Sequence, residues 1–184
     1  MACLSNYTLK SILADCNPNL AGIAEVWLGY YGDWAVSADT ESSAMTHTIS
    51  IITAETGARM NKMQHYTFAK QTGSLTSTLT KDEANGTRYY TNELALQFSK
   101  MEARKHLEIE AMAAEQLVGI VRDLNGKYWF LGYDGYLSAS DATAQSGQSY
   151  DDNNGYNITL QAMSAFLPFE MTKSQVDSVI ESED

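Results

Sequence analysis

Three histidines, a group of aspartates, two cysteines and a block of aromatics are the residues whose chemistry could build a site. His47, His65 and His106 are far apart and fall in different elements. A metal centre or a catalytic dyad needs such groups at short, patterned spacing, and none of the three has it. His106 lies four residues from both Glu102 and Glu110, the spacing of neighbours on one helix face, so surface pairing is expected there. Cys3 and Cys16 lack a CxxC partner or a nearby histidine cluster. The chain contains no G-x-S-x-G elbow, P-loop or dinucleotide fingerprint. Gly132-Tyr133-Asp134-Gly135 has GxxG spacing but reads as a turn among aromatics and acids. Neither catalysis nor a cofactor is expected.

The acidic phrase Asp151-Asp152-Asn153-Asn154-Gly155 invites a calcium reading. As an EF-hand loop it would place Tyr156, not glycine, at the sixth position, and it lacks the closing glutamate. A different cation site would have to gather Asp134, Asp141, Asp151 and Asp152. The simpler expectation is a polar turn, with Asp151, Asp152 and Gly155 leading into a strand over 156–161. Trp27, Tyr30, Tyr31 and Trp34 could stack on a sugar, but alternation along a strand assigns them to core and interface.

These residues sit on elements that read as mainly β. Ile23–Tyr31 and Thr46–Ala54 are strand-like. Residues 65–99 read as one long hairpin turning at 82–86, with Tyr90, Leu94, Leu96 and Phe98 on its buried face. A helix over about 100–116 is expected to start at a Ser99/Glu102 capping box and to bury Ala103, Leu107, Ala111 and Ala114. Leu117–Arg122 and Lys127–Gly132 flank Asn125-Gly126, which predicts a hairpin with a type I′ turn. Both of its strands are apolar on both faces, so they belong inside a sandwich or at a subunit boundary. A small-residue loop follows. Thr172 and Gln175 cap a short helix carrying Val176, Val179 and Ile180, which needs something to dock on because its acidic end opposes the helix dipole.

Charge narrows the partners. The net charge is −11. Residues 46–127 are nearly neutral, with ten Lys/Arg against nine Asp/Glu, whereas residues 128–184 carry one base and nine acids. Such a chain will not grip a nucleic-acid backbone, because phosphate affinity requires cationic neutralisation. It could let a polyanion slide past. No stretch approaches the length of a membrane span, and Met1–Cys16 has no apolar signal core, so a soluble protein made in a cytoplasm is expected.

The run of apolar strand, Asn125-Gly126 turn, aromatic strand and Asp152-x-Asn154-Gly155-Tyr156-x-Ile158-Thr159-Leu160 resembles the C-terminal half of tail-tube-type structural proteins. These belong to tailed bacteriophages of gut bacteria, the crAss-like phages among them. The opening Asp15-Cys16-Asn17-Pro18-Asn19-Leu20-Ala21-Gly22-Ile23 is similar to the start of such proteins. The resemblance implies an antiparallel β-sandwich or barrel with one flanking helix. It also implies closure into a homo-oligomeric ring, a hexamer or dodecamer, that contacts neighbouring virion tail or neck proteins and forms part of a conduit for DNA. Such a subunit would be assembled in the host cytoplasm and reside in the virion. The expected layout is an arm at 1–22, a sandwich domain at 23–171 and a tail at 172–184 carrying a short docking helix. Trp27, Tyr30, Tyr128, Trp129, Phe130, Val176 and Ile180 are the expected subunit-interface residues. One point sits awkwardly: the 65–99 hairpin holds three acids and three bases, so an acidic lumen would need charge from elsewhere. The competing expectation is a monomeric glycan- or receptor-binding sandwich that decorates a virion.

Overall fold

The computed structural model describes residues 11–12, 18–39 and 47–180. Expectations about most of the arm, the two cysteines, Glu181, Glu183 and Asp184 lie outside the described residues. The described chain is mainly β, arranged as two packed sheets. The larger sheet contains β1 (Ile23–Tyr30), β2 (Trp34–Asp39), β3 (Thr48–Ala54), β4 (Gln64–Tyr66), β7 (Leu117–Asp123), β8 (Tyr128–Leu131) and β11 (Phe169–Met171). Their order across the sheet is β2-β3-β11-β8-β7-β1-β4. The smaller sheet is wholly antiparallel, with β5 (Gly73–Asp82), β6 (Thr87–Ser99), β10 (Gly155–Ser164) and β9 (Ser138–Gln145) in that order. Helix α1 (Ala103–Ala114) joins β6 to β7, and α2 (Lys173–Val179) follows β11.

Alternating residues on β1, β7 and β8 supply two separate cores. Val26, Leu28, Leu117, Val121 and Leu131 face the smaller sheet, where Leu94, Leu96, Phe98, Ile158 and Leu160 meet them. Trp27, Val118, Ile120 and Phe130 face the other way, against Trp34, Ile49, Ile52, Phe169, Val176 and Val179. Burying each large apolar side chain contributes roughly 1.5–3 kcal/mol. The expectation of a central hairpin buried on both faces therefore holds, and the second face is covered by the chain's own α2.

Several boundaries differ from the sequence reading. His65 and Tyr66 leave the expected 65–99 hairpin and, with Gln64, pair with β1 in the other sheet; the hairpin proper is β5–β6. The Asn125-Gly126 turn is not type I′. Gly126 alone has positive φ (81°), its N–H bonds to Asp123 O at 3.1 Å, and Asp123 N–H bonds to Lys127 O at 2.9 Å. This is a three-residue loop with a left-handed glycine, which also suits the twist of the flanking strands. Ser99 ends β6 instead of capping α1, because it pairs with Gly155. Lys100, in left-handed backbone at φ 66°, turns the chain, and Glu102 occupies the cap position without a side-chain cap bond.

The face of α1 differs too. Met112 is buried and Ile109 packs on the core, whereas Leu107 is 68% exposed. The small-residue loop contains a strand, β9, and Trp34–Asp39 forms β2, which the sequence reading passed over.

Candidate functional site

The expected interface residues divide by depth. Trp27, Phe130 and Val176 are 5%, 1% and 1% exposed, so they are committed to the chain's own core and have no surface to offer a neighbour. Trp27 stacks on His65 with ring centroids 5.0 Å apart. Tyr30 is half-buried beneath the Arg59 guanidinium, 3.8 Å from its ring centroid. Tyr128 and Trp129 are half-buried, and the Trp129 indole donates to Asp123 Oδ2 at 3.1 Å. Ile180 is half-buried and forms a parallel bridge with Met63. Trp34 is buried as well, so Trp27, Tyr30, Tyr31 and Trp34 form no sugar platform.

The C-terminal segment docks on its own chain. Gln175 Oε1 accepts the Thr172 N–H at 2.9 Å, the capping contact that the sequence predicts. The same amide donates through Nε2 to Ile49 O (2.6 Å) and Ser50 O (3.1 Å) of β3.

The acidic phrase acts as a turn. Asp152 Oδ2 accepts the backbone N–H groups of Gln148 and Ser149, each at 2.7 Å. Those two bonds hold its carboxyl below the usual carboxylate range. Gly155 is required by proximity: a Cβ there would stand 2.0 Å from Phe98 O. Asp134 Oδ2 accepts the Ala165 N–H at 2.6 Å, on a different loop. Among the described residues no three His, Cys, Asp or Glu side chains gather as metal ligands.

Concave surface exists beside α1. A groove of about 380 Å³ is lined by β4, Phe98 and the Glu102–Met112 face of the helix. Tyr66 lies in it and donates to Glu108 Oε2 at 3.2 Å. Burial, and then the Glu108 charge, push its phenol well above the ordinary tyrosine value. His106 Nδ1 lies 3.2 Å from Tyr156 Oη, which donates to Glu102 O. These bonds tie α1 to β10; they do not set a nucleophile against a base.

No family model, curated protein or solved structure matches the chain.

The smaller sheet is where the surface is unusual. Among the described residues its two outer strands, β5 and β9, each pair with a single strand, apart from a Leu117–Leu137 bridge just before β9, and they run in opposite directions because the four strands are antiparallel. Monomeric proteins usually guard such edges with charge, proline, a short strand or a covering helix, and α1 packs beside β9. Here β5 is charged only at its end, Lys81 and Asp82, and β9 only at Asp141. The outer face of the sheet is polar, with Ser74, Thr76 and Thr78 on β5, Gln97 on β6 and Asn157 and Thr159 on β10. Its charges are Asp82, Glu93 and Asp141, with no lysine or arginine in the same alternation. Lys81 and Arg88 sit opposite one another in the other alternation, near the hairpin tip. The neutral hairpin therefore presents an acidic outer face. Strand alternation separates its charges, which a net count over 65–99 hides. None of the helices among the described residues is long and apolar enough to cross a membrane.

Proposed function

We propose that this chain is a virion structural subunit, of the tail-tube or neck-ring type found in tailed bacteriophages, which self-assembles into a ring forming part of a conduit for DNA. The observation that carries this is the pair of oppositely directed outer strands on the four-stranded sheet, charged only at Lys81, Asp82 and Asp141. A rotated copy placed beside β9 presents its β5 antiparallel to it, so each addition continues the sheet and leaves the same edge open again. Such head-to-tail contacts end only when the rotation closes. Closure removes both edges, as barrels do.

The outer face of the small sheet then lines the channel. A cation-free face of hydroxyls, amides and a few carboxylates, interrupted by Tyr89, Ala95 and the exposed Met163, offers phosphate no counter-charge, so DNA is not retained. The chain contributes scaffolding and no catalytic step.

Native mass spectrometry with negative-stain imaging of the purified protein tests this. Rings or short tubes with a central hole are expected. A strict monomer at the highest attainable concentration refutes the proposal.

A further inference from the structure

The two open edges fit one another best at a single register. On β5 the residues in the core-side alternation are Leu75, Ser77 and Leu79, and Leu79 is 50% exposed. On β9 they are Ala139, Ala142 and Ala144, with a bulge at Ser140 between the first two. We propose that β5 of one copy pairs antiparallel with β9 of a second copy so that Leu75 faces Ala144, Ser77 faces Ala142 and Leu79 faces Ala139. This rests on the ring assembly proposed above.

Three properties select that register. It preserves sidedness: Thr76 falls opposite Thr143 and Thr78 opposite Asp141 on the polar face, whereas a one-residue slip would exchange the two faces. It also covers β9 from end to end. Within one chain the ladder runs Leu75, Leu94, Leu160, Ala139, so a level neighbour would set Leu75 against Ala139 and leave Thr143–Gln145 unpaired. The proposed register moves the neighbour four residues along.

Barrel geometry supplies the third property. Four residues of stagger over four strands is one residue per strand. With about 3.3 Å rise per residue and about 4.8 Å between strands, this tilts the strands by roughly 35°. Closed barrels require about that tilt, and the value does not depend on how many copies close the ring. Large side chains then lie over alanines. Helix α1 packs beside β9, on the core-side alternation that Leu75 and Leu79 of the neighbour would continue.

Paired cysteines read the register directly. In a Cys3→Ser, Cys16→Ser background, Thr76→Cys with Thr143→Cys tests the staggered register, and Thr76→Cys with Ser138→Cys tests the level one. Both pairs lie on the exposed polar face, outside the cores. Under oxidation or a short thiol-bridging reagent, the first pair should give a covalent ladder ending in closed rings, at least tenfold more cross-linked product than the second. Equal or reversed yields, or rings that neither pair cross-links, overturn the register and leave ring assembly standing. Failure of the unsubstituted protein to assemble overturns both.

Discussion

Replacing Gly155 by alanine should damage one end of the smaller sheet in a way that can be worked out in advance. The added Cβ would stand 2.0 Å from Phe98 O and 3.0 Å from Ser99 Cα. An ordinary carbon–oxygen contact is about 3.3 Å or more, so β10 must retreat from β6 by over 1 Å. Hydrogen bonds do not survive that displacement. The bonds at risk are Lys100 N to Asn154 O (2.7 Å) and Met101 N to Asn154 Oδ1 (3.2 Å). At roughly 0.5–1.5 kcal/mol each, their loss costs about 2 kcal/mol, a sizeable share of a typical domain's stability. Urea denaturation followed by tryptophan fluorescence should show this loss, and hydrogen exchange should show lost protection at Lys100 and Met101. Gly126→Ala is the control: nothing lies within 4 Å of its Cβ, and only the positive φ is penalised, by about 1 kcal/mol. If Gly155→Ala costs no more than Gly126→Ala, or protection at Lys100 and Met101 is unchanged, the close-approach argument fails.

Truncation after Met171 should unfold the protein and not merely weaken assembly. It removes buried Val176 and Val179, worth about 1.5–3 kcal/mol each, and uncovers Met63 and Ile49; a truncated chain that still melts cooperatively by circular dichroism would contradict this. The 146–154 loop should loosen in acid. The folded-state pKa of Asp152 is depressed, so its contribution is present above the ordinary carboxylate range and is lost as pH falls through that range and below it. Amide exchange at Gln148 and Ser149 should rise there, and a flat pH profile would refute the assignment. Asn125→Asp should free the entry to β1. The amide now accepts from Leu20 N (2.9 Å) and donates to Leu20 O and Asn19 Oδ1, and a carboxylate would repel both oxygens; proteolysis near Leu20 should accelerate several-fold while the melting temperature moves little.

What the sequence revealed follows from which forces are local. Leu94, Leu96 and Phe98 alternate because one face of β6 meets the core, so their side was legible from the two-residue period alone. The Thr172/Gln175 cap was legible because its contacts lie within four residues. The Ser99/Glu102 box has the same spelling, yet Ser99 is claimed by Gly155, over fifty residues away, and no local pattern can report that competitor. Strand β9 was hidden because its sequence, Ser-Ala-Ser-Asp-Ala-Thr-Ala-Gln, has small residues on the side beside α1 and polar ones outside, which removes the hydrophobic period. For the same reason the open edges were invisible: an edge is a fact of sheet order, which composition does not encode. Trp27 and Phe130 were legible as apolar, but which of two cores or a neighbour would cover them was not.

The position of β11 has a consequence for biosynthesis. Phe169–Met171 lies between β3 and β8 in the middle of the seven-stranded sheet. During synthesis β2 and β3 emerge more than a hundred residues before the strand that connects them to β8. The larger sheet therefore cannot be completed before residue 171 has left the ribosome, and until then the nascent polypeptide carries Ile49 and Ile52 uncovered. During that interval the exposed strands β2 and β3 depend on chaperones or dilution to avoid aggregation.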